Sequence, residues 1–228
     1  MRNSSMNTAN SYPIFHWPSI KKMFVHRELY QAIAFFLSPQ LIPITVMLGT
    51  MYPEYTALIN VVSILIGLII LTFAIRVISK RQRKYRYVNR IRILPIIGVF
   101  ISCIIGLTLI TYLYSLIGIT LPSQPNQESL TDMIGRFPLI MIFMITILAP
   151  VTEELVFREL LPNTLGPSYI SFITSSMLFV AIHSPSGIMG WTSYGIMAAG
   201  FLYVRLSQKS IYACIAVHIV WNTVSIIA

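Results

Sequence analysis

From residue 160 to residue 204 the chain carries no Asp, Glu, Lys or Arg. A soluble domain draws about 25% of its residues from those four types, so a stretch like this has no place on a water-exposed surface. It is also too long for one membrane helix of about 20 residues. Pro162, Gly166 and Pro167 break it once, and SPSG at 184–187 breaks it again. The whole 228-residue chain continues the theme, with 56% hydrophobic residues, 10% charged residues and a mean hydropathy of +0.75. A soluble enzyme, a disordered tail, a collagen-like chain and a disulfide scaffold are excluded. The apolar residues run on without alternating, which argues against a β-barrel.

The expected fold is all-α, a polytopic membrane helical bundle of about seven transmembrane helices, with six to eight fitting the length. The spans run about 29–50, 56–76, 93–118, 137–160, 168–183, 188–205 and 210–227. Pro39 and Pro43 kink the first. Residues 1–28 form a polar basic arm without a removable signal peptide, and 29–228 form one membrane-embedded domain whose core is about 137–227. The segment LPSQPNQESLTDMIGR before span four reads as a polar loop.

Charge placement orients the spans. Arg2, Lys21, Lys22, Arg27, Arg76, the seven basic residues of 79–92, Arg158, Arg205 and Lys209 fall on one side. Arg136 alone falls on the other, with Glu54, Glu128 and Asp132. The positive-inside rule then puts the N-terminus in the cytosol and the C-terminus outside a multi-pass cell-membrane protein. The 79–92 cluster is a topology determinant beside anionic headgroups, and nothing in it marks a nucleic-acid partner. The lipid bilayer is the expected surrounding.

Ionisable groups within bilayer helices cost enough that each one is a functional candidate. Span four carries Glu153, Glu154, Arg158 and Glu159, span five ends in His183, and span seven holds His218 and Asn222. Glu154 and Arg158 are four apart and share a face, whereas Glu153 points about 100° away. Cys214, His218 and Asn222 form one stripe. Ser171, Ser175, Phe179 and His183 form another. Three helices thus each bring one polar stripe to a shared wet cavity. At 1.5 Å per residue, Glu153 lies roughly 10 Å from the cytosolic edge and His218 about 12 Å, but His183 about 22 Å. A strong tilt, or a start tucked below the surface, would reconcile them.

A carboxylate held away from bulk water can serve as a general base near neutral pH. No Ser or Cys has a recognisable neighbouring base, so water is the expected nucleophile. His218 and Asn222 can donate to a developing oxyanion, and His183 can orient the water or donate to the leaving group. The chain has no HExxH, no GxGD with a second Asp and no Gly-x-Ser partner for either late His. The residues therefore read as a glutamate-based hydrolase acting within the membrane.

EELVFR, FVAIH and HIVWN, in this order on three late apolar helices, resemble the EExxxR, FxxxH and HxxxN motifs of the CPBP family. These are the CAAX proteases and bacteriocin-processing enzymes, also called the Abi family and related to the Rce1-type prenyl protease. The resemblance covers about 150–225. It implies an intramembrane endopeptidase with Glu153 as the base that activates water, Glu154 as its partner, and Arg158 in a structural or electrostatic role. His183, His218 and Asn222 complete the site, which opens towards the cytosol. The implied substrate is a peptide or a membrane-anchored protein cut near the cytosolic face. In bacteria the implied role is processing of secreted or signalling peptides or bacteriocins, or self-immunity. Glu159 departs from the family pattern, where many relatives have Gly, and leaves the local packing open. A metallo-type mechanism is the alternative, with zinc on Glu153, His183 and His218. The metal-free glutamic mechanism is favoured because an Asn four residues from a His suits an oxyanion donor better than a ligand.

Other readings stand beside this one. The chain could be a non-enzymatic membrane immunity or regulatory protein that binds a peptide, or a proton-relay transporter, although no inverted repeat is visible. The Glu154–Arg158 pair could simply lock helices. Gly195, Ala199 and Gly200 read as close-packing residues. Tyr12, Phe15, Trp17 and Tyr30 read as an interfacial belt.

Overall fold

The computed structural model describes residues 12–16, 18–19, 23, 26–85, 91–119 and 125–227, with the side chains of 83–85 and 125–127 outside the description. Arg2, Trp17, Lys21 and Lys22 of the arm and Arg86 and Arg90 of the basic cluster lie outside the described residues. The chain is an all-α membrane bundle, and no strand occurs among the described residues. The helices are α1 (Arg27–Leu37), α2 (Leu41–Met51), α3 (Thr56–Tyr85), α4 (Ile93–Leu116), α5 (Pro125–Arg136), α6 (Pro138–Thr164), α7 (Tyr169–Ile182), α8 (Gly187–Gln208) and α9 (Ile211–Ile227). Four runs, Arg27–Met51, Pro53–Gln82, Ile93–Leu116 and Pro138–Thr164, are long and apolar enough to cross a bilayer. α7 and α9 are shorter apolar helices. α1 and α2 are separated by a 3-10 turn at Ser38–Gln40, next to the prolines expected to kink this run.

Local chemistry sets the helix ends. The Ser168 hydroxyl accepts from the Ser171 amide at the start of α7, and the Ser210 hydroxyl does the same for Ala213 at the start of α9. α4 ends where Gly118, at φ +70°, lets the amides of 118 and 119 turn back to Ser115 and Tyr114.

α6 is the axis of the bundle. About 67% of its most apolar stretch is buried, against 11–28% for the other three long runs. α1, α3, α7 and α9 pack directly around it, α8 closes on α7 and α9, and α4 lies outside against α8 and α9. Contacts at the two ends confirm the alternation of the helices. At one end Arg81 meets Glu28 and Glu159, Ser79 meets Tyr212, and the Arg92 amide donates to Gln208. At the other, Phe137 lies against Gly49, and Ile226 packs on the core cluster that contains Phe137.

Two expectations change here. The presumed loop before span four is helix over 125–136, and its Leu130, Met133 and Ile134 pack on the core cluster around Phe137. Its polar residues hide an apolar stripe at helical spacing. The basic cluster begins inside α3, which runs past the expected span end at residue 76, and Arg81 is a largely buried bridge between two carboxylates. Part of the arm also departs from a simple interfacial belt. The carbonyls of Pro13 and Ile14 accept from the amides of Tyr169 and Ile170, and the Tyr12 ring packs edge-on against Phe172 at 4.9 Å. The arm thus satisfies the first amides of α7, which a helix leaves unpaired.

α6 contains two π-helical turns, Met144–Leu148 and Val156–Leu160, and each is followed by a proline, Pro150 and Pro162. At the first, the Ala149 amide bonds to Met144. Pro150 has no N–H, so the Ile145 carbonyl is left over, and the Asn222 amide takes it at 2.9 Å. At the second, the Leu161 amide bonds to Val156 and Pro162 offers none. Ser175 donates to the freed Phe157 carbonyl at 2.7 Å, and Arg205 donates to that of Arg158 at 3.2 Å. A π turn re-aims side chains and often marks a functional site. Between these two turns lies the segment that carries Glu153 and Glu154.

Candidate active site

Adjacent on α6, Glu153 and Glu154 face different surroundings. Glu154 is fully buried. One of its oxygens accepts from His218 Nδ1 at 2.8 Å and the other from the Cys214 thiol at 2.8 Å. Arg158 Nε lies 3.4 Å from that second oxygen. Glu153 keeps 24% of its side chain exposed and sits 3.8 Å from His218 Nε2. That gap exceeds a direct hydrogen bond and suits a small bridging oxygen. Because Nδ1 of His218 faces a carboxylate, it carries a proton, and Nε2 is the atom turned towards Glu153.

His183 caps the end of α7, and its Nδ1 donates to the Phe179 carbonyl at 2.7 Å. This leaves Nε2 for the cavity. Phe179 is the hub of the site. Its ring lies 4.6 Å from the His183 ring, 5.9 Å from the His218 ring and 4.9 Å from the Arg158 guanidinium. Phe201 stacks on the other side of His218 at 4.6 Å, and Tyr194 lies beside His183 at 4.9 Å. Both imidazoles are therefore held by a hydrogen bond and by aromatic rings on their faces.

Glu153, His183, His218 and Asn222 line one cavity of about 510 Å³. Glu154 and Arg158 lie behind it, fully buried. The structure thus brings the six sequence-predicted residues together in two layers, four facing the cavity and two supporting it. The depth mismatch of His183 also shrinks. α6 runs to Thr164, so Glu153 is about 16 Å from that end, closer to the roughly 21 Å spanned by the fourteen residues of α7.

Asn222 is partly committed, since it fastens the Ile145 carbonyl, but an amide nitrogen has a second hydrogen. Among the described residues no three His, Cys, Asp or Glu side chains are grouped as a metal ion requires, so no step is assigned to one. Arg158 makes no hydrogen bond through its guanidinium nitrogens among the described residues. The Glu154 carboxylate and the Phe179 face are what balance its charge.

Beneath the cavity lies a layer that the sequence did not reveal. Glu159, buried at 1% exposure, accepts from Arg205 at 2.7 Å and from Arg81 at 3.0 Å, and Arg81 continues to Glu28 at 3.3 Å. The residue that departs from the family pattern is thus the centre of an ion-pair network joining α1, α3, α6 and α8. The only sequence signal was an acid among basic residues at one end of the bundle. Cys214, on the same stripe as His218 and Asn222, is a donor to Glu154. Gly200 is a close-approach residue as expected, since a Cβ there would lie 2.7 Å from Cys103 Sγ, whereas at Gly195 nothing lies within 4 Å.

The cavity extends to one side of Glu153. Its α6 lining, Met144, Ile145, Ala149 and Glu153, lies wholly on the Pro138 side of Glu153, and its α9 lining runs from His218 to Ile226. The far wall is α5. The site therefore extends away from the basic end, which the charge count assigns to the cytosol.

Residues 135–224, which contain the six candidate site residues, match the profile of a family described as Rce1-like, type II CAAX prenyl endopeptidase. The likeness to the Rce1-like family is therefore confined to the part of the chain from Gly135 to Val224. The UPF0177 protein YvdC of Lactococcus lactis subsp. lactis is 28% identical over 103 residues, which cover 44% of this chain and 40% of that protein. A Bacillus subtilis protein named "Putative membrane peptidase YdiL" is 30% identical over 118 residues, covering 50% of this chain and 46% of that protein. The chain thus spans less than half the length of these curated relatives. No solved structure matches. The Rce1-like stretch begins one residue before Arg136 and takes in α6 to α9, the helices that carry the site.

Proposed function

We propose that this membrane protein is an endopeptidase of the glutamic type, hydrolysing a peptide bond within the bilayer-spanning bundle. The observation that carries the reading is the Glu153–His218–Glu154 arrangement, with Glu153 open to the cavity and Glu154 buried against the far side of the imidazole. Glu153 takes a proton from a water lying between it and His218 Nε2, and that water attacks the peptide carbonyl carbon. Glu154 fixes the His218 ring and supports its charged form, as the orienting carboxylate does in a triad. Protonated His218 and the second amide hydrogen of Asn222 donate to the oxyanion. Glu153 then returns its proton to the leaving amine as the C–N bond breaks. His183 Nε2 accepts from the attacking water and orients it. The similarities support the class of reaction, the matching family through its description as an endopeptidase and the Bacillus subtilis relative through the word peptidase in its name.

The mechanism proposed needs no metal. The substrate is a peptide or a membrane-anchored protein, and the role that the resemblance suggests is processing of a secreted or signalling peptide. The test is cleavage of candidate membrane peptides by the purified protein in detergent or vesicles, with and without chelator. Cleavage that resists chelator and is lost in Glu153→Gln supports the reading. Cleavage that chelator abolishes and added zinc restores overturns the metal-free mechanism.

A further inference from the structure

We propose that the substrate reaches Glu153 from the α5 end of the bundle, as an extended apolar segment whose side chains pack on Leu130, Met133 and Ile134. This rests on the reading of the cavity as the site of peptide hydrolysis. Two independent features define the direction. Towards the basic end the large cavity stops at Glu153, and only a small pocket of about 40 Å³ continues to Val156 and Phe157. Leu155, Val156, Phe157 and Leu160 are each no more than 3% exposed, and the Glu159–Arg205 pair beneath them is equally closed. Towards the other end the large cavity itself continues. From Glu153 the lining climbs past Asn222 and Ser225 to Ile226 and meets α5.

The α7–α8 turn explains why the space exists. α7 has fourteen residues and spans about 21 Å, whereas the 27 residues of Pro138–Thr164 span about 40 Å. The turn at 183–186 therefore stops short of the far end of α6, and Ser184 and Gly187, at φ +48° and +59°, make the reversal tight. The recess holds His183 at the level of Glu153 and leaves room above it. α5 spans that room. It turns Leu130, Met133 and Ile134 towards the cavity and leaves Asp132 and Arg136 about 60% exposed on its other face. Polar groups that can act on a peptide bond collect at the floor, and the walls above are mostly apolar, so a segment with apolar side chains fits the walls while its carbonyl reaches the floor.

The direction is read without relying on turnover. Glu153→Cys protein in sealed vesicles is treated with a membrane-impermeant maleimide from each side in turn. Asp132→Cys marks the α5 side, Ser207→Cys marks the basic side, and the unaltered chain, whose two cysteines are buried, gives the background. Labelling of Glu153→Cys at least tenfold faster from the α5 side is expected, and equal or faster labelling from the basic side overturns the proposal. The wall is read separately, by cleavage of an apolar peptide by Met133→Gln. KM should rise about tenfold with kcat nearly unchanged, and an unchanged KM overturns the role of α5. If the unaltered chain cleaves nothing, the hydrolase reading fails, while the labelling result still decides which way the cavity opens.

Discussion

The two halves of α6 solve one structural problem in the same way and then diverge. Each contains a π turn and a proline, and each passes a freed carbonyl to a side chain from a neighbouring helix, Asn222 in one half and Ser175 with Arg205 in the other. The half running from Pro138 to Glu153 borders a cavity of about 510 Å³. The half running from Glu154 to Thr164 lines no part of that cavity, and its charges are matched by protein groups. A single peptide step, from Glu153 to Glu154, crosses this boundary. Charge within a membrane is tolerated when it faces water or a partner, and here consecutive residues use one solution each.

The largest expected effect separates those two carboxylates. Glu153→Gln should lower the cleavage rate by about 10²–10⁴-fold, the range for loss of a general acid–base group, with the unfolding midpoint hardly moved because the side chain is open to the cavity. Glu154→Gln should also lose activity, and in addition should lose about 3–5 kcal/mol of stability, because Arg158 is then a buried charge without its counter-ion. Rates and unfolding curves measured on the same preparations test the contrast. If both variants are equally stable, the division of α6 into a half that lines the cavity and a half that does not has no energetic counterpart.

On the side away from the cavity, Arg205→Met should remove a similar 3–5 kcal/mol by leaving Glu159 short of a partner, yet the fraction that stays folded should cleave at nearly the normal rate. Glu159 lies a helical turn and a half beyond Glu153, outside the cavity lining, so the ion-pair network sets the stability of the floor and not its chemistry. An active-site titration of the folded enzyme, beside its unfolding midpoint, would show this. Equal losses in both would place Arg205 in the reaction path.

How much of this could be read beforehand follows the same boundary. Residues facing the cavity were legible because polar groups on apolar helices are costly and therefore rare. Glu153, His183, His218 and Asn222 stand out in a stretch otherwise almost free of charge. The Glu154–Arg158 pair was legible from its spacing of four, and the order of the helices followed from the apolar runs. The other half was hidden because its partners are distant in sequence. Glu159 finds Arg205 on α8 and Arg81 on α3, and a list of residues contains no sign of which charges will meet. α5 was hidden for another reason. Its mean composition is polar, and only the spacing of Leu130, Met133 and Ile134 betrays the covered face. The direction of the cavity depended on the height of the α7–α8 turn, and charge counting gives no information on height.

The paired π turns provide a smaller comparison. Ser175→Ala should leave the Phe157 carbonyl unpaired and cost about 1–3 kcal/mol, with cleavage per folded molecule unchanged. Asn222→Ala should cost a similar amount through the Ile145 carbonyl, and should also slow cleavage, because the same amide nitrogen holds the second donor facing the reaction. Asn222→Ala carrying no more kinetic penalty than Ser175→Ala would reduce Asn222 to a fastener.

The smallest expected effect lies on the outer face of α5. Asp132 and Arg136 are four residues apart and their nearest approach is 3.2 Å, but their side chains are 64% and 58% exposed. Water and salt screen such a pair, which contributes at most a few tenths of a kcal/mol. Asp132→Asn should accordingly shift the unfolding midpoint within experimental error. It should leave cleavage of an apolar peptide unchanged as well, because this face points away from the cavity. Met133, one residue further on, points the other way, and its Gln variant should change KM. A pair of neighbours with opposite outcomes would show that α5 meets the substrate along one stripe only. If Asp132→Asn changes KM as strongly as Met133→Gln, the segment approaches over the outer face of α5, and the apolar wall is not what selects it.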